Sequence, residues 1–98
     1  MVEIIRSATF DLWMRSLRDR QARARIQMRI DRLSLGNPGQ HRKLANGISE
    51  MKIDHGPGYR VYYTMRGSEL IVLLCGGDKA SQQEDIAKAI RVADAWET

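Results

Sequence analysis

The feature that most restricts the fold is the segment ELIVLLC, residues 69–75, whose apolar side chains fall on both faces of an extended chain. Successive residues of a strand point to opposite faces of a sheet, so this strand must be covered on both sides. We therefore predict a central, doubly covered strand at residues 69–75. With 98 residues, the chain is expected to form one domain that spans residues 1–98.

Two amphipathic helices are predicted in the first half of the chain. Ser7 and Asp19 are suitable N-caps for them, and Gly36 and Pro38 in LGNPG end the second helix. The apolar residues at helical spacing are Phe10, Trp13, Met14 and Leu17 in the first helix, and Ala22, Ile26, Ile30 and Leu33 in the second. A short link between two such helices predicts a helical hairpin that packs on an apolar surface.

The second half of the chain predicts strands joined by short turns. Asn46-Gly47 is typical of a two-residue hairpin turn, and GPG and Arg66-Gly67-Ser68 mark two more turns. Residues 81–84, SQQE, match a capping box that opens a C-terminal helix. The predicted strands are VEII at residues 2–5, HRKLA, ISEMKID, YRVYYTM and ELIVLLC. The expected order is therefore β-α-α-β-β-β-β-α, an α+β fold.

The basic residues favour an anionic partner. The net charge is +4, and twelve of the sixteen basic residues are arginine, seven of them between Arg15 and Arg32. Arginine forms forked contacts with phosphate and carboxylate oxygens. Arg25, Arg29 and Arg32 share one face of the second helix by their spacing. This pattern indicates binding to nucleic acid or to an acidic protein, although a solvated helix face explains the same residues.

Strand alternation predicts a polar cluster on the sheet. Glu50 and Lys52 share one face of their strand, and Arg60 and Tyr62 share one face of the next strand. If the polar faces coincide, these four side chains lie side by side. The alternative is an ordinary water-exposed sheet face with cross-strand ion pairs.

A second candidate site follows the central strand. Gly76-Gly77-Asp78-Lys79 combines two glycines and a cation with the start of a helix, which suits a phosphate group. The spacing of a Walker A loop is absent, so a nucleoside triphosphate is not expected. A tight turn that leaves Lys79 in solvent is the alternative.

Other chemistries find little support in the sequence. Cys75 is the single cysteine and ends an apolar strand, so we expect it in the core, in a reducing cytoplasm. His41 and His55 have no metal-ligand spacing with it, and neither a metal nor a small-molecule cofactor is expected. We find no segment long enough to span a membrane and no signal peptide, which predicts a cytoplasmic protein without membrane contact.

Two segments closely resemble a known family. GISEMKIDHGPGYRVYY and LIVLLCGGDKASQQEDIAKA are similar to phage-derived addiction-module killer proteins, HigB-like toxins of the RelE/ParE superfamily in type II toxin–antitoxin systems. The resemblance implies a helical hairpin on a mostly antiparallel sheet, and a cognate antitoxin, expected to be of helix-turn-helix type. In RelE-like members it implies cleavage of mRNA on the ribosome. A ParE-like gyrase inhibitor without nuclease activity, or an antitoxin binder that has lost toxicity, are the alternatives.

The resemblance also implies roles for individual residues. Arg60 matches the arginine that contacts the scissile phosphate in RelE-like enzymes, and Lys79 falls where they place another cation. Glu50 and Lys52 lie on the strand that supplies polar or basic catalytic residues, and we expect Glu50, or else Lys52, as the base. Asp85 is expected to orient or protonate, where many relatives have Tyr or His. The expected contacts to RNA or the ribosome are Arg25, Arg29, Arg32, Tyr62 and Gln83.

Overall fold

The computed structural model describes residues 2–96 of the chain. Its helices and strands, in chain order, are β1 (Glu3–Arg6), α1 (Ala8–Ser16), α2 (Arg20–Ser34), β2 (His41–Lys43), β3 (Ile48–Ile53), β4 (Tyr59–Arg66), β5 (Leu70–Gly77) and α3 (Gln82–Ala95). Two short 3₁₀ turns, Ala45–Gly47 and Lys79–Ser81, lie in the connections before β3 and before α3. This order confirms the predicted β-α-α-β-β-β-β-α arrangement and the α+β class.

The five strands form one sheet in the order β1-β5-β4-β3-β2. The β1 strand is parallel to β5, and the remaining neighbours are antiparallel. The β5 strand lies between β1 and β4, and its residues from Ile71 to Gly77 are buried. The prediction that this strand is covered on both faces is therefore confirmed, whereas the central strand of the sheet is β4.

Each face of the sheet carries its own hydrophobic cluster. Helices α1 and α2 cover one face, where Phe10 and Ile26 pack with Leu73 and other strand residues. Helix α3 covers the opposite face, where Ala89 packs with Val72 and its neighbours. Burial at these positions follows the alternation of side chains along the strands. The helical hairpin and the C-terminal helix thus lie on opposite sides of the sheet.

The two predicted N-caps are confirmed. Ser7 Oγ accepts a hydrogen bond from the backbone N–H of Phe10, and the carboxylate of Asp19 accepts from the N–H groups of Gln21 and Ala22. Each cap satisfies donors that the first turn of a helix leaves free.

Within residues 2–96, no helix combines the length and the apolar character that crossing a membrane requires.

Two local predictions were wrong by a few residues. The backbone N–H of Leu44 donates to the carbonyl of Ile48, so the turn at Asn46-Gly47 has three residues instead of two. The capping box starts at Asp78, not at Ser81: the Asp78 side chain caps the 3₁₀ turn that leads into α3, and the side chain of Ser81 is its partner. In both cases the predicted feature, a turn at Asn46-Gly47 and a capping box before α3, is present. The turn is one residue longer than predicted, and the capping box starts three residues earlier.

Candidate functional site

The register between β3 and β4 forms the predicted polar cluster. Glu50 lies directly opposite Tyr62, and Lys52 lies directly opposite Arg60. Directly opposed residues on neighbouring strands have side chains on the same face. The four residues therefore meet on one face, at the end of the sheet where β5 finishes with Gly77 opposite Arg60.

Two further residues complete the surroundings of Glu50. On the edge strand β2, Arg42 lies opposite Glu50, and its Nε donates to Glu50 Oε1 at 2.8 Å. From the first turn of α3, Gln82 Nε2 donates to Glu50 Oε2, also at 2.8 Å. Both oxygens of this carboxylate therefore have a partner. Three different elements, β2, β3 and α3, are joined through Glu50.

These contacts decide the charge state of Glu50. Burial raises the pKa of its carboxyl group, but the hydrogen bonds from Arg42 and Gln82, together with the charge of Arg42, outweigh burial and hold the pKa below its ordinary value. Glu50 is only 4% exposed. It is therefore a buried and ionised carboxylate at neutral pH.

Arg60 lies on the other side of this carboxylate and is more enclosed than the sequence suggested. It is 6% exposed, its Nη1 donates to the carbonyl of Gly58 at 2.8 Å, and its Nε lies 3.8 Å from Glu50 Oε2. That Nε has no hydrogen-bond partner within residues 2–96. The alternative of an ordinary water-exposed sheet face therefore does not hold at this position.

The cluster forms the wall of a polar cleft of about 330 Å³. The residues that line it are Gln40, His41, Arg42, Glu50, Lys52, Arg60 and Gln82. Arginine and lysine supply three positive charges, and Glu50 is the one acidic residue among those that line the cleft. A recess with an excess of two positive charges attracts anions, and its guanidinium groups suit phosphate oxygens.

Tyr62 does not contribute a surface for RNA. It is fully buried beneath the cleft, so the prediction that it contacts RNA is wrong for this conformation. Burial, and then the charge of Glu50, raise the pKa of its phenol, which therefore stays protonated at neutral pH. Cys75, its partner on β5, is also fully buried and confirms its predicted core position.

The glycine pair has a steric role that differs from the predicted one. Gly76 and Gly77 are the last residues of β5 and are buried, with Trp13 packed over Gly76 and Asp85 packed over Gly77. The N–H groups of Ala80 and Ser81 already donate to the Asp78 side chain. The interpretation of this segment as backbone N–H groups free to hold a phosphate is therefore wrong.

The remaining predicted residues near α3 take different positions. Lys79 is exposed. It lies beside Gly58, as two distances show: a Cβ placed on Gly58 would be 3.8 Å from Lys79 Cβ and 3.4 Å from Arg60 Nη1. Asp85 is 6% exposed, accepts a hydrogen bond from the Ser81 hydroxyl and does not line the cleft. Gln83 is exposed outside the cleft, and its neighbour Gln82 occupies the inward position instead.

The arginine face of α2 is not uniform. Arg29 donates through Nη1 to the carbonyl of Lys52 at 2.7 Å, and through Nη2 to the carbonyls of Pro38 and Gln40. Its guanidinium therefore holds α2 to β3 and to the loop before β2, and the prediction that it is a docking residue is wrong to the extent that these three contacts occupy it. Arg25 and Arg32 are exposed, as that prediction requires.

Sequence reasoning missed Arg42, Gln40, His41 and Gln82 as cleft residues. A signal was present for a basic residue of β2, because HRKLA was already expected to pair with the strand that carries Glu50, but the expected two-residue turn placed Lys43 there instead of Arg42. For Gln82 the signal was its place at the start of α3, which the shifted capping box obscured.

The His41 ring has Nδ1 2.8 Å from the carbonyl of Gly39. Within residues 2–96, no three His, Cys, Asp or Glu side chains group as metal ligands.

Taken together, the fold and the cleft define a small α+β domain with a positively charged recess. Residues 13–95 match the family model described as phage-derived protein Gp49-like (DUF891), and the chain belongs to this family, a RelE-like family of toxin–antitoxin toxins. The chain is also 44% identical over 88 residues to a protein of Haemophilus influenzae (strain ATCC 51907 / DSM 11121 / KW20 / Rd) described as an uncharacterized protein. That alignment covers 90% of this chain and 89% of the relative.

Proposed function

We propose that this protein is the toxin of a type II toxin–antitoxin system and acts as a metal-independent, ribosome-dependent mRNA endoribonuclease. The observation that carries the proposal is the pairing of Lys52 with Arg60 on the cleft face, beside the ionised Glu50. Phosphoryl transfer needs fixed cations where charge develops, and a cleft with this excess of positive charge supplies them. Family membership supports the toxin class.

The reaction is transesterification within the RNA chain. The 2′-hydroxyl oxygen attacks the neighbouring phosphorus and loses its proton, the bond from phosphorus to the 5′-oxygen breaks, and that oxygen takes up a proton. The products are a 2′,3′-cyclic phosphate and a 5′-hydroxyl. Arg60 and Lys52 stabilise the charged phosphorane, a role whose loss typically costs about 10²- to 10³-fold in rate.

Proton transfer is assigned by exclusion among the cleft side chains. Both oxygens of Glu50 accept hydrogen bonds, and its pKa is lowered by Arg42 and Gln82 in spite of burial, so it is a weak base. Two cleft side chains are left to accept the 2′-hydroxyl proton, His41 and Lys52. A Lys52 that accepts it is neutral before the transfer and becomes the cation facing the phosphorane afterwards. Asp85 lies behind Gly77 and is not assigned the acid. The chain alone therefore makes a poor nuclease, and the ribosome supplies substrate geometry, an effect worth several kcal/mol.

Three residues outside the cleft serve binding in this proposal: Arg25 and Arg32 on α2 dock on ribosomal RNA, and Gln83 extends the contact near the start of α3. Lys79 contacts the RNA phosphate, and this contact is strongest in the transition state. Action on ribosomes places the protein in the cytoplasm. A cognate antitoxin, expected to be of helix-turn-helix type, neutralises it, and no small-molecule cofactor takes part.

One experiment tests the activity against its main alternative. Purified protein is incubated with a ribosome programmed with mRNA and, separately, with gyrase and supercoiled DNA. We expect mRNA cleavage in the first reaction and unchanged gyrase in the second, and Arg60→Lys, which keeps the charge but loses the planar fork, should cleave far more slowly. Gyrase inhibition without mRNA cleavage would contradict the proposal and indicate a ParE-like activity. If neither mRNA nor gyrase is affected, antitoxin binding is the one activity that remains for the protein.

A further inference from the structure

Arg42 is the most accessible cation of the cleft and is held along one edge only. Its side chain is 58% exposed, against 5% for the side chain of Glu50 that it contacts. A guanidinium carries five N–H donors, and Arg42 uses its Nε–H for Glu50. Its terminal nitrogens have no acceptor among residues 2–96, so they are available at the mouth of the cleft.

The acceptor that holds Arg42 is fixed in place. Gln82 occupies the second oxygen of Glu50 and Arg60 approaches the same oxygen, while β3 and β4 bury the rest of the side chain. Lys52, Arg60 and Tyr62 are the other ionisable groups that face this part of the sheet. An exposed surface ion pair leaves both partners mobile. Here one partner is immobile, so the guanidinium of Arg42 has a defined direction.

We propose that Arg42 is a phosphate-binding residue of the cleft and that Glu50 is the positioning residue that aims its free terminal nitrogens at an RNA phosphodiester. The inference rests on the proposed RNA substrate and adds a residue that contacts it. It also gives Glu50 a role different from that of a base: its carboxylate orients Arg42 from β2 while Gln82 fixes it from α3. Arg42, Lys52 and Arg60 then surround one phosphate from three strands of the sheet, β2, β3 and β4.

A matched pair of variants separates this role from general electrostatics. Arg42→Gln and Lys43→Gln remove one positive charge from neighbouring, exposed positions of β2, but only Arg42 lies on the Glu50 face, because Lys43 pairs with Ser49. The probe is a short single-stranded RNA with 2′-O-methyl groups, which cannot be cleaved. Binding is measured by fluorescence anisotropy over a range of salt concentrations.

We expect Arg42→Gln to weaken RNA binding by ~10-fold or more and to reduce the log–log salt slope by about 0.7, the value of one phosphate contact on a single strand. Lys43→Gln should change affinity by less than ~2-fold, a loss of long-range attraction only. Arg42→Lys should recover part of the affinity, since it restores the charge without the fork. Equal effects of Arg42→Gln and Lys43→Gln, or no effect of either, would overturn the proposal.

Glu50→Gln tests the positioning role. If Glu50 orients Arg42, Glu50→Gln weakens binding of the same RNA, and the double variant with Arg42→Gln is little worse than Arg42→Gln alone. If Glu50 is instead the base, Glu50→Gln leaves RNA affinity unchanged and removes the acidic limb of the pH–rate profile on programmed ribosomes, which would overturn its positioning role. The binding assay involves no cleavage. If wild-type protein binds this RNA but does not cut mRNA, the proposed nuclease activity is wrong, and the proposed binding role of Arg42 is unaffected.

Discussion

Gly77 and Asp85 lie so close together that a Cβ added to Gly77 would be 1.7 Å from Asp85 Oδ2. Gly76 has the same relationship on the opposite face of the sheet, where an added Cβ would be 2.3 Å from the Trp13 ring. The two glycines therefore allow a helix to approach β5 closely on each side. On the cleft side, this approach brings the first turn of α3 near enough for Gln82 to reach Glu50.

Gly77→Ala should therefore destabilise the protein and disturb the cleft. The methyl group overlaps a buried carboxylate, and such overpacking typically costs about 1–3 kcal/mol. Urea unfolding measures the change in stability. Asp85→Ala should recover much of the loss, because it removes the atoms that the new methyl group meets.

Gly36→Ala is the control for this experiment. Gly36 has a φ of +86° and no atom within 4 Å of an added Cβ, so its substitution introduces backbone strain without a clash. Asp85→Ala should not rescue Gly36→Ala. A Gly77→Ala protein as stable as wild type, with Gln82 still bound to Glu50, would contradict the steric role of this glycine.

Arg29 and Arg25 should behave differently although they are four residues apart on α2. Arg29→Ala leaves three backbone carbonyls without their charged donor, and we expect a loss of about 1–3 kcal/mol in the free energy of unfolding. Arg25→Ala should stay within about 0.5 kcal/mol of wild type, because Arg25 is exposed. Equal stability of the two variants in urea unfolding would contradict the structural role of Arg29.

Tyr62→Phe should leave both folding and cleavage nearly unchanged. The phenol oxygen is buried and makes no hydrogen bond of ordinary geometry to the described residues, and both oxygens of the neighbouring Glu50 have other donors, so removing it leaves no partner unsatisfied. The ring itself is needed, and Tyr62→Ala should cost about 3–5 kcal/mol, as expected for a buried aromatic side chain. Unfolding curves and single-turnover cleavage on ribosomes measure the two effects. A folded Tyr62→Phe protein that cleaves slowly would show that the hydroxyl acts in the reaction.

The core of the cleft was predictable because strand geometry is simple. Side chains alternate with a period of two, and GPG is a short turn, so Glu50, Lys52, Arg60 and Tyr62 had to meet if the polar faces coincided. What alternation does not give is the depth of burial. The packing of α3 over this face encloses Arg60 and Tyr62, and that packing depends on contacts between residues distant in the sequence.

Arg42 was missed because its placement depends on one residue of loop length. A two-residue turn at Asn46-Gly47 would pair Lys43 with Glu50, whereas the observed three-residue turn pairs Arg42 with Glu50. A shift of one residue moves every side chain of a strand to the other face. A pair such as Asn46-Gly47 predicts that a turn is present more reliably than it predicts the number of residues in that turn.

The glycine pair was misinterpreted for a different reason. A glycine in a sequence can indicate a special backbone conformation, a close approach of a ligand, or a close approach of another part of the same chain. Gly76 and Gly77 belong to the third case, and the residues that approach, Trp13 and Asp85, come from α1 and α3. Nothing in the local sequence distinguishes these cases.

Lys79 remains a predicted phosphate contact, now without help from backbone N–H groups. It is exposed and close to Gly58, whose carbonyl binds Arg60, so Lys79→Ala should leave the fold intact. At saturating ribosome we expect its cleavage rate to fall by ~30-fold, about 2 kcal/mol for one charged contact. Lys88→Ala, which removes an exposed cation farther along α3, is the matched control. Equal rates for both variants in single-turnover cleavage would leave Lys79 as a solvent-exposed turn residue.

The lowered pKa of Glu50 predicts how stability depends on pH. Burial alone would raise the pKa of Glu50, but Arg42 and Gln82 hold it below its ordinary value of about 4.3. Since the folded pKa lies below the unfolded one, ionised Glu50 contributes stability that is fully present above about pH 4.3 and is lost as the pH falls through the folded pKa. Glu50→Gln removes this contribution, so wild type should be the more stable protein at pH 7, and the difference between them should shrink as the pH approaches 3. Urea unfolding of both proteins across this range measures it, with Glu84→Gln, an exposed carboxylate on α3, as the control for a lost negative charge. A difference that stays constant from pH 7 to pH 3 would mean that Arg42 and Gln82 do not stabilise the ionised form of Glu50.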